Sequence, residues 1–206
     1  MRSCDLVIMD AGPLIKLALA DRLDLLLCFG RHVYIPDEVE FEAVEKYAWE
    51  NEAPLGQDKL RLRAWIAQQS ESGRVSCVQT LIGEMARKKR ESGEYAPSNR
   101  NHRRNTGELA AHDFFNNRDE AGHKGEPALM LMDDRPGLDQ VRLHNLDAHL
   151  LSTYSMLIAL EQERLLDSAD KVWASIEQNL SSVDRLQVDE SVRGDTEYRS
   201  SLSMRG

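Results

Sequence analysis

Asp5-Leu-Val-Ile-Met-Asp10-Ala-Gly-Pro-Leu-Ile15 is the stretch on which the reading of the fold turns. Leu6 to Met9 is an unbroken apolar run closed by an acid, and Pro13 follows where the first turn of a helix tolerates proline. The stretch therefore predicts a buried strand feeding a helix. Working outward, Leu14, Leu17, Ala18, Leu23, Leu26 and Leu27 recur at helical spacing until Gly30, and Val33-Tyr34-Ile35 predicts a second short strand before Pro36. A helix is expected from about Asp37, another over Leu60 to Gln69, a strand over Arg74 to Val78, and a helix with a basic end over Leu81 to Arg90. Ala128-Leu-Met-Leu-Met132 predicts another fully buried strand and Val141-Arg-Leu-His144 a shorter one. Strands alternating with helices predict an α/β fold around a central, mainly parallel sheet.

The 206 residues are 41% apolar and 30% charged, which suits a globular chain with a sizeable core and excludes collagen-like and wholly disordered classes. The longest run without Asp, Glu, Lys or Arg, Ala148 to Leu160, is far shorter than the roughly 20 residues a membrane span needs. No membrane partner is expected. The apolar patch at Leu6 to Met9 is bracketed by Asp5 and Asp10 and is too short for a signal peptide, so the expected location is cytoplasmic. Cys4, Cys28 and Cys77 are odd in number and form no C-x-x-C pair, which argues against both a disulfide framework and a zinc site. Glu50 to Asp58 and Ser92 to Asn105 read as insertions, and the polar tail from Ser181 to Gly206 is expected to be flexible unless a partner holds it.

Two predicted strands end in acid: Leu6 to Met9 runs into Asp10, and Ala128 to Met132 into Asp133-Asp134. In an open parallel sheet such ends share one edge, and ligands bind there where the strand order reverses. Acids gathered on that edge repel one another unless a cation neutralises them, and Mg²⁺ or Mn²⁺ prefers hard oxygen ligands of this kind. The alternative is that each aspartate merely starts a turn.

Val7-Ile-Met-Asp10-Ala-Gly-Pro-Leu-Ile15, the Leu-rich helix after it, and Ile35-Pro36 with Val39 and Glu42 resemble the start of a PIN domain. Thr106-Gly107-Glu108-Leu-Ala-Ala111, Leu129-Met-Leu-Met-Asp133-Asp134-Arg135 and Val141-Arg-Leu-His-Asn-Leu-Asp147 resemble later pieces of the same family, which includes the VapC-like toxins. The resemblance covers roughly residues 5 to 180, so one PIN-like domain over residues 1–180 is expected. It implies a three-layer α/β/α fold and a metal-dependent endoribonuclease whose acidic pocket holds one or two Mg²⁺ or Mn²⁺ ions. Carried over, Asp10, Glu42, Glu108 and Asp133 are the catalytic acids, with Asp10, Glu108 and Asp133 holding metal. The chemistry is consistent, because phosphodiester hydrolysis needs an activated water and charge stabilisation on the leaving oxygen. The toxin half of a toxin–antitoxin pair, an antitoxin protein as partner and a homodimer are further implications of the resemblance. The other reading is a catalytically inactive module of the same fold that binds RNA or protein.

Helical periodicity from Pro36 puts Val39, Ala43 and Tyr47 on one side with Glu40 inside that arc, so only the resemblance selects Glu42. Glu108 also stands three residues after Asn105, the spacing of a capping box. Asp134, Asn145 and Asp147 read as turn residues or outer partners of the pocket. A phosphatase with an aspartyl nucleophile would want a second acid two residues after Asp10, where Gly12 stands. Arg87, Lys88, Lys89, Arg90, Arg100, Arg103 and Arg104 against Glu91 and Glu94 give a local +5 in a chain of −9. That patch is read either as an RNA phosphate contact or as a helix end and solvated loop.

Overall fold

Five short strands, all parallel, form the centre of the molecule in the order β3-β2-β1-β4-β5. They are β1 (Cys4–Met9), β2 (Gly30–Pro36), β3 (Val75–Val78), β4 (Ala128–Leu131) and β5 (Ala148–Leu151). The computed structural model describes residues 4–28, 30–51, 54–95, 106–123, 128–133 and 148–180. The 96–105 part of the second predicted insertion, residues 134–147 and the tail from 181 lie outside the described residues.

Alternation along the strands divides the core in two. Val7, Met9, Val33, Ile35, Val75, Leu129 and Leu131 face one way. They pack on α1 (Ala11–Leu19), α4 (Gln57–Glu71), α7 (Thr153–Gln162) and α8 (Ala169–Asn179) through Leu14, Leu17, Leu62, Ile66, Met156, Leu160, Trp173 and Ile176. Ile8, Ala128 and Met130 face the other way, onto Ala111, Phe114 and Phe115 of α6 (Thr106–Asn116). Both faces of β1 and β4 are covered, which is why they read as continuous apolar runs rather than alternating ones. The architecture is three-layered, α/β/α. Among the described residues no helix is long and apolar enough to cross a membrane.

The chain steps from β1 out through β2 to β3, then returns to place β4 on the other side of β1. The order therefore reverses between β1 and β4, the place where an open parallel sheet leaves a crevice beyond its carboxyl ends. The register sets Met9 opposite Leu131, so Asp10 and Asp133 both leave the sheet at that crevice.

One expectation lies outside the described residues and another is corrected. Val141–His144, read as a strand, is not among the described residues, where the strand paired with β4 is Ala148–Leu151. Tyr47, expected on the buried side with Val39 and Ala43, is 66% exposed. The cause is local: α2 (Asp37–Glu40) runs through a π-helical turn, Phe41–Glu45, into α3 (Lys46–Asn51). The wider π turn sets back the phase of everything after it, with Val44 buried and Tyr47 turned outward.

Candidate functional site

Asp10 follows β1 with an extended backbone, φ −98° and ψ 166°, and its carboxylate does not cap α1. Its N–H instead donates to the Leu131 carbonyl at 2.9 Å, continuing the ladder one residue past the strand and holding the side chain at the edge of β4. The residue is buried.

Asp133 is buried as well and heavily engaged. Thr153, the first residue of α7, donates its N–H to Oδ1 at 2.7 Å and its hydroxyl to Oδ2 at 2.6 Å. Lys16 of α1 places its Nζ 2.9 Å from Oδ2, and the same ammonium lies 5.7 Å from the centre of the Trp173 ring. Glycine eases this approach at position 12, since a Cβ there would sit a tight 3.2 Å from both Cβ and Oδ2 of Asp133.

Glu42 and Glu108 meet through the start of α6. The Thr106 hydroxyl donates to Glu42 Oε1 at 3.0 Å, the Gly107 N–H donates to the same oxygen at 3.4 Å, and Lys46 Nζ approaches it at 3.3 Å. Glu42 thereby serves as a cap for α6 from outside the helix, a favourable place for an anion. The π turn rotates it there, as straight helical periodicity did not. A Cβ at position 107 would lie 2.7 Å from Glu42 Oε2, so the Glu42 carboxylate would have to shift to admit one. Glu108, the third residue of α6, is buried. Asn105, its capping-box candidate, lies outside the described residues.

Asp10 and Asp133 thus follow neighbouring strands at one edge of the sheet, and Glu42 holds the turn that carries Glu108. Among the described residues no three His, Cys, Asp or Glu side chains come together as a metal-holding group. Sequence reading missed Lys16 and Thr153. Lys16 is the only charged residue in Ala11–Leu19, and that isolation in an apolar helix was the signal available.

The basic stretch divides by role. Arg90 donates from Nη1 to Glu38 Oε2 at 2.8 Å and from Nη2 to Glu38 Oε1, and stacks 3.8 Å from the Phe41 ring centre. Glu38 is 2% exposed, so this pair belongs to the interior and Arg90 is turned away from any ligand. Lys89 pairs with Glu94 at 3.4 Å, a hydrogen bond that holds its ammonium above the usual lysine range. Arg87 and Lys88 are exposed, in surface pairs with Glu91 and Glu84. Arg100, Arg103 and Arg104 lie outside the described residues, as does Asp134. Arg90 and Gly107 both meet the segment Glu38–Glu42, so the basic end of α5 (Leu81–Glu91) stands beside the start of α6.

Beyond β3, an open groove of about 530 Å³ is lined by Cys77, Thr80, Leu81, Asp113 and Phe114 among others. Cys77 is exposed, yet desolvation by the atoms around its thiol, with the negative charge of Glu40 second, pushes it up to about 12. A thiol of that kind stays protonated near neutrality and is no nucleophile. Asp113 in this groove accepts the Leu81 N–H at 2.7 Å and anchors α5. The groove therefore offers little chemistry, and the acids at β1 and β4 remain the candidate site. No protein-family model, curated protein or solved structure matches this chain.

Proposed function

We propose that the chain is a metal-dependent endoribonuclease that hydrolyses RNA phosphodiester bonds at the crevice between β1 and β4. One observation carries the reading: Asp10 and Asp133 follow the carboxyl ends of the neighbouring strands β1 and β4, at the point where the strand order reverses. The resemblance of the surrounding segments to PIN-domain ribonucleases supports it. The donor set fits Mg²⁺ or Mn²⁺, being hard carboxylate oxygens on rigid strand ends, with Gly12 leaving the approach to Asp133 free of a side chain. Asp10 and Asp133 would hold the ion; Glu108 is a third carboxylate by the resemblance alone, since the described residues do not gather three such side chains. When bound, such an ion supplies an activated water and offsets charge on the leaving oxygen.

The chain's own residues do the rest. Thr153 fixes the rotamer of Asp133 through two hydrogen bonds, and Glu42 fixes the start of α6 and with it the position of Glu108. Arg87 and Lys88 at the exposed end of α5 draw the RNA backbone towards an otherwise acidic protein. By resemblance, the biological role is that of a toxin held by an antitoxin protein, in a homodimer.

A second reading is a catalytically inactive module of the same fold that binds RNA or protein. The observation favouring it is that Glu42 and Asp133 are both engaged within the protein, one as a helix cap and one by Lys16. The two readings separate when the purified chain and its Asp10→Asn variant meet a mixed RNA pool in Mg²⁺, in Mn²⁺ and in chelator. The nuclease reading expects cleavage that needs metal and falls by about a hundredfold or more in the variant. RNA bound but uncut by both chains under every condition supports the inactive module.

A further inference from the structure

Lys16 is a cation inside the very pocket assigned to a divalent ion. Its side chain is only 11% exposed, its ammonium stands 2.9 Å from Asp133 Oδ2, and the Trp173 ring lies under it at 5.7 Å. Carboxylate and ring together hold it in place. Asp133 already accepts three donors, two from Thr153 and one from Lys16, against the roughly four acceptor positions of a carboxylate. A metal ion arriving at Asp133 therefore meets both a nearly filled ligand and a like charge.

We infer that Lys16 is a tethered competitor of the divalent ion, a built-in cation that neutralises Asp133 in the metal-free protein and lowers the pocket's affinity for metal. The inference rests on the metal reading above. It follows from the difference between lysine and a hydrated metal: both neutralise a carboxylate, but the ammonium is covalently held, singly charged and has a flexible stem by which it can withdraw. In the metal-free protein it balances the charge of the buried Asp133 carboxylate, which would otherwise lack a cation. Its removal leaves that charge unbalanced until a divalent ion offsets it.

The test is calorimetric titration with Mn²⁺ alone of the wild-type chain, Lys16→Met and Lys16→Gln, with thermal unfolding in chelator and in Mn²⁺. Lys16→Gln keeps a neutral donor for Asp133 and carries the test should Lys16→Met not fold. The expected result is Mn²⁺ binding tighter by about tenfold or more in the neutral variants. Their melting temperatures should fall below wild type in chelator and recover in Mn²⁺. A lysine with a merely structural role would give the same fall in chelator and no added recovery. Equal or weaker Mn²⁺ binding in the variants, with wild type binding normally, overturns the competitor and leaves the metal reading standing. Absence of Mn²⁺ binding in all three chains overturns the metal reading and the competitor with it.

Discussion

Two buried acid–base pairs lie on the carboxyl side of the sheet, and they are built differently. Arg90 meets Glu38 with two nitrogens on two oxygens and stacks on Phe41. Lys16 meets Asp133 through one nitrogen on one oxygen, and Thr153 takes the remaining attention of that carboxylate. The planar guanidinium saturates its partner, and nothing short of unfolding releases it. The ammonium is a point charge, and another cation can replace it without disturbing the backbone. One pair closes α5 onto α2, whereas the other sits where a ligand is expected. Chemistry is to be sought at the less complete pair.

The comparison breaks most visibly under Arg90→Ala. Glu38, at 2% exposure, would be left charged and without its partner, and removing one side of such a pair costs about 3–5 kcal/mol. Urea unfolding should show that loss with and without Mn²⁺ alike. Lys16→Met lowers stability in the same direction in chelator but, unlike Arg90→Ala, is restored by metal. If both losses respond equally to Mn²⁺, the distinction between the two pairs fails.

How much of this was legible depends on which force set each feature. The β1 and β4 strands and their acids were readable because burial on both faces leaves an unbroken apolar run, and an acid directly after it is conspicuous. The α/β class followed from the alternation of such runs with helical stretches. Position β5 was not readable in the same way: Ala148-His-Leu-Leu151 merges into the apolar helix after it, and only the Ser152 cap of α7 marks the boundary. Tyr47 was misplaced because a π turn is a hydrogen-bond choice without a reliable sequence signature. Asp10 and Asp133 could be placed on one sheet edge from the strand pattern alone, but the donors on Asp133 come from residues 16 and 153, joined only by the fold. Glu42 as a cap for a helix 64 residues later was equally out of reach.

Gly107→Ala sharpens the same contrast on the Glu42 side. The added methyl would sit 2.7 Å from Glu42 Oε2, so either the carboxylate moves and α6 loses its external cap, or the helix shifts. Overpacking of this kind costs about 1–3 kcal/mol. Should Glu42 act only as a cap, Gly107→Ala lowers stability while the Mn²⁺ affinity of the chain stays at its wild-type value. A joint loss of Mn²⁺ affinity would instead join Glu42 and Glu108 to the Asp10 and Asp133 pocket.

The smallest effect is expected at the surface. Arg87 and Lys88 make only exposed pairs with acids of their own helix, and such pairs contribute about 0–1 kcal/mol. The double variant Arg87→Ala, Lys88→Ala should therefore change stability by less than about 0.5 kcal/mol. An RNA phosphate offers each of these cations a partner of greater charge density than a neighbouring glutamate. On that ground the double variant should lower the log–log salt slope of single-stranded RNA binding by up to about 1.4, at roughly 0.7 for each phosphate contact. An unchanged slope would mean that the exposed half of the basic stretch is as inward-looking in function as Arg90 is in structure, and that the backbone of the RNA is held by other residues.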